Sequence, residues 1–325
     1  MDSRSWGLNV IRATRADPPG RAGLEPERRA TYGAALQQFD ELLEAAAVAG
    51  HASRPLPLFY ALSQAGRALA AAHCESWVVR AHGISEDRSI SAEKNPLLRR
   101  IKRRVGAGDA LSAVCEALRA PDPFGSAGEP IEVGAAWAAL PMFNRFLPGW
   151  EERWHPAMRA FNDAPGNPPQ HVMSLQVTTR APQPRDALPS SGYPSLPAGF
   201  SFEPAAHPEL PMNDSARRFG TVRWGPPEST PSVFDLTYSP SGTFNRWLLP
   251  GAPGSDEPFV PLTAWWVLLF GLSVFARYDP GLWSSSLNLD GSECAVPLRL
   301  LLDEALEAIS ELVADALIAN DTSEG

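Results

Sequence analysis

The sequence predicts an α+β protein, mainly α, in which a helical body formed by the N- and C-terminal segments carries a small antiparallel β insertion in a Pro-rich middle. Two observations lead there. Of 33 prolines, 24 lie within residues 121–258, and because proline removes a backbone donor and breaks helices, the long helices belong to the flanks. Both flanks also space their apolar residues at helical intervals, whereas the middle holds short runs that alternate in part. The chain then divides into an N-terminal extension, partly irregular, over 1–29, and a helical part over 30–120. A Pro-rich region with short strands follows over 121–260, then C-terminal helices completing the body over 261–319 and a tail over 320–325.

The first helix is expected over residues 32–50, where Leu36, Phe39, Leu43 and Ala46 share a face and Gly50 reads as a C-cap. A second runs near 56–73. At 100° per residue its Leu58, Leu62, Ala65, Leu69 and Ala72 fall within about 40° of one line, which is the core face. A third starts on Asp109 as an acidic N-cap, with Leu111, Val114, Cys115 and Leu118 apolar and a proline stop. Strand-like runs occupy 171–180, 219–225 and 232–238, and 182–199 is loop by composition. Residues 259–276 carry no charge. A membrane span wants about 20 apolar residues, but Pro261 and Thr263 read as a helix start inside this run, so the expectation is a buried core helix and no membrane. The last helix sets Leu298, Leu301, Leu302, Ala305, Ile309, Leu312, Val313 and Ala316 opposite its acids.

With 325 residues, 44% hydrophobic, 20% charged and ten Trp, the composition is that of a globular protein and excludes global disorder. Cys74, Cys115 and Cys294 lie far apart, without a C-x-x-C pair or a His at ligand spacing. That pattern indicates neither zinc nor a disulfide framework and fits a reducing compartment. The N-terminus lacks the apolar stretch of a signal peptide, so a cytoplasmic location is expected. No phosphate-loop, dinucleotide, nucleophile-elbow or metalloprotease motif occurs, so no cofactor and no metal is expected. The net charge of −9 is concentrated in the acidic C-terminal stretch. Against it, Lys94, Arg99, Arg100, Lys102, Arg103 and Arg104 place six cations in eleven positions without an acid. Such a run is commonly a solvated face; as a site it fits phosphate, an acidic partner or the chain's own acidic helix.

The candidate chemistry lies on the second helix. Arg67 and His73 stand six residues apart, Arg67 about 180° from the core line and His73 about 60° from it, so they do not share a face. The segment 62–67, LSQAGR, aligns without a gap to 272–277, LSVFAR. Ser and Arg at i and i+4 project on one side of a helix. The two helices are therefore expected to be neighbours, with Ser63, Arg67, Ser273 and Arg277 on one polar seam beside Tyr60, Gln64 and His82. Glu75 and Asp279 are the expected charge partners of the two arginines, because an unpaired buried charge is costly. Trp137, Phe143, Phe146 and Trp150 form an aromatic cluster that reads as core packing rather than base stacking.

The Arg67-x5-His73 spacing resembles the Arg-x4–6-His signature of HEPN-type ribonucleases, helical proteins that cut RNA without a metal. That resemblance implies His73 as general acid or base and Arg67 as stabiliser of charge at phosphorus, with 94–104 guiding RNA. The combination FYALSQAGRALAAA (59–72), the following HGI (82–84) and LLFGLSVFARYDPGLW (268–283) is similar to the bacterial YaaC-like family, over about residue 30 to the C-terminus. That family implies no reaction for these residues and allows a place in a multi-protein or defence-related complex. Two functions are therefore expected in competition: protein-protein association, with a partner or as a homo-oligomer, or metal-independent RNA cleavage.

Overall fold

A computed structural model describes residues 3–88, 94–106, 108–148, 154–163, 170–177, 192–205, 217–226, 231–240 and 244–318. The chain opens with α1 (Ser3–Ala16) and α2 (Gly20–Leu24), then α3 (Pro26–Val48) and α4 (Pro55–His73). Strands β1 (Ile84–Glu86) and β2 (Arg100–Arg103) precede α5 (Ala110–Leu118), and β3 (Ile131–Glu132) leads directly into α6 (Val133–Ala138). The Pro-rich region supplies β4 (Met158–Asn162), β5 (His171–Val177), β6 (Ser201–Pro204), β7 (Arg217–Trp224), α7 (Val233–Leu236) and β8 (Arg246–Leu248). Helices α8 (Pro261–Tyr278), α9 (Pro280–Ser286) and α10 (Ala295–Ile318) close the chain.

Proline marks where the flank helices begin. Pro26, Pro55, Pro261 and Pro280 each stand in the first turn of their helix, where no backbone donor is needed and the fixed φ suits the helix. Asp109 caps α5 by accepting from Ser112 N at 2.9 Å. Gly50, expected as a C-cap, instead turns the chain into α4: its carbonyl accepts from the amides of Ser53 and Arg54, each at 3.0 Å. The N-terminal extension, expected to be partly irregular, is helical in its described part. Leu8 and Ile11, one turn apart, bury their side chains and fix α1 against the body.

The flanks make one core. A continuous set of buried side chains joins α1, α3, α4, α5, α6, α8 and α10. Every residue of α8 from Pro261 to Phe275 is buried. By length and composition α8 could cross a membrane, yet 83% of it is buried inside the protein, which is how a core helix satisfies an all-apolar surface. Trp137 donates to Phe143 O at 2.9 Å, Phe143 packs on Trp265 with ring centroids 5.6 Å apart, and Phe146 joins the same core. Trp150 lies outside the described residues.

Two antiparallel sheets accompany the helices. The larger, ordered β6-β7-β5-β4-β8, is the insertion expected in the Pro-rich middle and has its own small core of Met158, Met173, Leu175, Val222 and Leu248. The expected strands 171–180 and 219–225 become β5 and β7, with 178–180 outside the described residues. The expected strand 232–238 is instead a short helix, α7. The Asp235 carboxylate accepts from Ser232 N at 2.8 Å, and this local capping box outcompetes extended pairing. Only Tyr238 keeps a bridge, to Trp247. The smaller sheet, β1-β2-β3, sits within the helical half.

Candidate functional site

The seam between α4 and α8 is built from residues that both helices present near their crossing. Phe59 anchors it, packing edge-on against Phe270 (5.2 Å) and Trp266 (6.0 Å) of α8. Past the end of α4 the chain doubles back, and Gly83, at φ +86°, makes that reversal while a Cβ there would meet the Asp109 carboxylate. The reversal lays His82 across α4. Its ring meets Phe59 at 5.1 Å and Tyr60 at 6.3 Å, and its Nδ1 lies 3.2 Å from Ser63 Oγ.

One turn beyond Ser63, Arg67 donates from Nη1 to Val79 O at 2.9 Å. Its Nε is sealed from solvent without a hydrogen-bond partner. From the last turn of α8, Arg277 donates from Nε to Ser273 O at 3.1 Å and reaches Tyr60 OH with Nη1 at 3.5 Å. The expected Ser273 hydroxyl turns away from the seam and donates to Phe270 O within its own helix. Gln64 is half-buried on α4 beside Ser63. Sequence reasoning missed Tyr278 and Arg88: the guanidinium groups of Arg277 and Arg88 both lie over the Tyr278 ring, at 5.2 and 5.6 Å. The signal for Tyr278 was its place beside Arg277 in an otherwise buried helix.

Burial, then the charges of Arg67 and Arg277, push the His82 pKa below its ordinary value, so the imidazole is neutral at pH 7. The two arginines lack the acids expected for them. Asp279 pairs with Arg99 at 2.6 Å, and the Glu75 carbonyl accepts from Arg28 at 3.0 Å. Among the described residues no carboxylate forms an ion pair with Arg67 or Arg277. The seam is thus a fixed pair of cations around a neutral imidazole, with Tyr60 and Tyr278 exposed at its mouth. Such a set holds a carboxylate or a phosphate oxygen through charge-assisted hydrogen bonds.

Arg67 and His73 are not brought together. His73 directs Nε2 to Leu317 O of α10 at 3.2 Å, while Arg67 turns to the loop at Val79. Six residues rotate a helix by 600°, which leaves their directions about 120° apart.

The basic run at 94–104 is not one cationic face. As a strand, β2 alternates its side chains: Arg103 points inward to Asp122 at 2.5 Å and Asp109 at 3.1 Å, while Lys102 lies outside, 3.6 Å from Asp87. Arg99 is buried between Glu86 and Asp279, each at 2.6 Å, and under Phe275. Lys94 and Arg104 are exposed, and Arg100 borders a cleft. In α10, Asp303 takes Arg54 and His51 as partners. Among the described residues no group of three or more His, Cys, Asp or Glu could hold a metal ion.

No curated protein and no solved structure matches the chain. The family model for YaaC-like proteins matches residues 18–317. Because that match takes in the seam, both sheets and every helix from α2 into α10, the chain belongs to the YaaC-like family.

Proposed function

We propose that the protein works by binding, as a cytoplasmic component of a multi-protein assembly, and that the α4/α8 seam receives an acidic segment of a protein partner. One observation carries this reading: Arg67 and Arg277 both act electrostatically on His82 without an ion-pairing carboxylate among the described residues. A half-buried cation left in that state is unfavourable, and each charge-assisted bond to an incoming carboxylate contributes about 1.5–3 kcal/mol. A protein acid fits better than RNA. A nucleic-acid backbone needs a track of free cations, whereas Arg99, Lys102 and Arg103 are neutralised within the fold and the net charge is −9.

The test is affinity purification of the intact chain from its own cells, comparing wild type, Arg277→Glu and His73→Ala. The expected result is a protein retained by wild type and His73→Ala and lost with Arg277→Glu. Light scattering on the purified chain identifies the case in which that protein is a second copy. Equal recovery with Arg277→Glu overturns the reading. So does RNA cleavage in excess chelator that disappears in His73→Ala, which would make the chain a HEPN-like ribonuclease.

A further inference from the structure

A second site lies away from the seam, where the Pro-rich sheet meets the helical body. A cleft of about 770 Å³ opens between β2, β3 and α6 on one side and residues 154–155, 192 and 250–256 on the other. That volume falls within the range of small-molecule sites, about 300–1,000 Å³. Its chemistry comes from five side chains. Arg100 and Glu132 are direct partners across β2 and β3, so both project from the same face of that sheet. Glu132 accepts from the indole of buried Trp154 at 2.8 Å, which fixes the carboxylate and makes an aromatic wall. His155 stands beside it, and Asp256 is exposed at the rim.

Arg100 is the exception in its strand. Arg99, Lys102 and Arg103 around it are each ion-paired, but Arg100 has no side-chain partner among the described residues and lines the cleft. His155 is in a comparable position. Its ring packs against Tyr193 with centroids 5.8 Å apart and closes on Gly192, where a Cβ would come within 2.6 Å of it. The packing holds the imidazole in place, while its nitrogens make no hydrogen bond among the described residues. Burial lowers its pKa, so it enters the cleft neutral.

We infer that the cleft binds a small zwitterion of the α-amino acid type, its carboxylate on Arg100, its ammonium on the acidic side formed by Glu132 and Asp256, and its side chain along Trp154. The charge balance selects this class. One guanidinium against two carboxylates, with His155 neutral, repels a phosphate dianion or a plain dicarboxylate, while a molecule carrying both charges meets a complement at each end.

The test is calorimetric titration of the full-length chain with each of the twenty standard amino acids. For any that binds, two analogues follow: the acid lacking the amine and the amine lacking the carboxylate. At least one amino acid is expected to bind with Kd on the order of 1 mM or tighter. Both analogues should weaken that binding by about tenfold or more, as should Arg100→Ala, the loss expected for one charge-assisted bond. Arg100→Lys, which keeps the charge, should retain part of the affinity, and circular dichroism on both variants checks the fold. Absence of binding by all twenty, or affinity unchanged in a folded Arg100→Ala, overturns the inference. Because Arg100 and Arg277 lie in different sites, failure here leaves the partner experiment standing.

Discussion

His82 gives the seam its pH response. Its pKa in the folded chain lies below 6.5, first because of burial and then because Arg67 and Arg277 oppose a third positive charge. As pH falls, the unfolded chain takes up this proton before the folded one does, so protonation favours unfolding. The stabilisation is fully present above about pH 6.5 and is lost as pH falls through the depressed folded value. His155, also lowered by burial, contributes with the same sign. The midpoint of thermal unfolding should therefore drop between about pH 7 and pH 5, and His82→Gln should flatten that drop, with His82→Gln/His155→Gln flattening it further. An identical decline in wild type and double variant would show that carboxylates elsewhere govern acid stability. At this scale the seam was half legible in the sequence. The repeated Ser-x3-Arg placed Ser63, Arg67 and Arg277 together, because i, i+4 geometry is local. The fate of the acids was not legible: Asp279 meets Arg99 across 180 positions, and choice among several nearby cations depends on tertiary packing.

Helices were the most readable elements, since a period of 3.6 over four or more turns is hard to produce by accident. The sheet β1-β2-β3 was not readable, because strands of two to four residues show no period, and β2 was concealed inside a basic run. The approach of α4 to α8 gives a sharp element-level prediction. A Cβ on Gly66 would lie 2.9 and 3.1 Å from the Trp266 ring and 3.2 Å from Val114, so this glycine sets how closely the helices pack. Overpacking costs about 1–3 kcal/mol, while replacing a helical glycine by alanine returns about 1. Gly66→Ala should thus lose up to about 2 kcal/mol and Gly66→Val more. Gly33 in α3 has nothing within 4 Å of its Cβ position, so Gly33→Ala should gain about 0.5–1 kcal/mol. Urea midpoints of the three variants check the set. Gly66→Ala as stable as Gly33→Ala would mean that the two helices sit further apart.

The whole molecule is held by its ends. α10 packs on α1, α4, α8 and α3, and α1 completes its cover, although composition alone marked residues 1–29 as partly irregular because only Leu8 and Ile11 present the short apolar face that docks. The decisive contact is backbone against side-chain hydrogen. A Cβ on Gly7 would fall 2.7 Å from the Ser310 carbonyl carbon and 2.9 Å from Glu311 N, and helix backbone cannot move aside as a flexible side chain can. Gly7→Val should therefore lift α1 from α10 at a cost of about 3 kcal/mol or more, the upper end for overpacking. The loss should be local to the helical body, since the five-stranded sheet has its own core. Amide hydrogen exchange resolves this: in Gly7→Val the amides of 306–317 should lose protection while those of β5 and β7 keep theirs. Unchanged protection in α10 would mean that α1 is not part of the helical unit, and equal loss in β5 and β7 would mean that body and sheet unfold together.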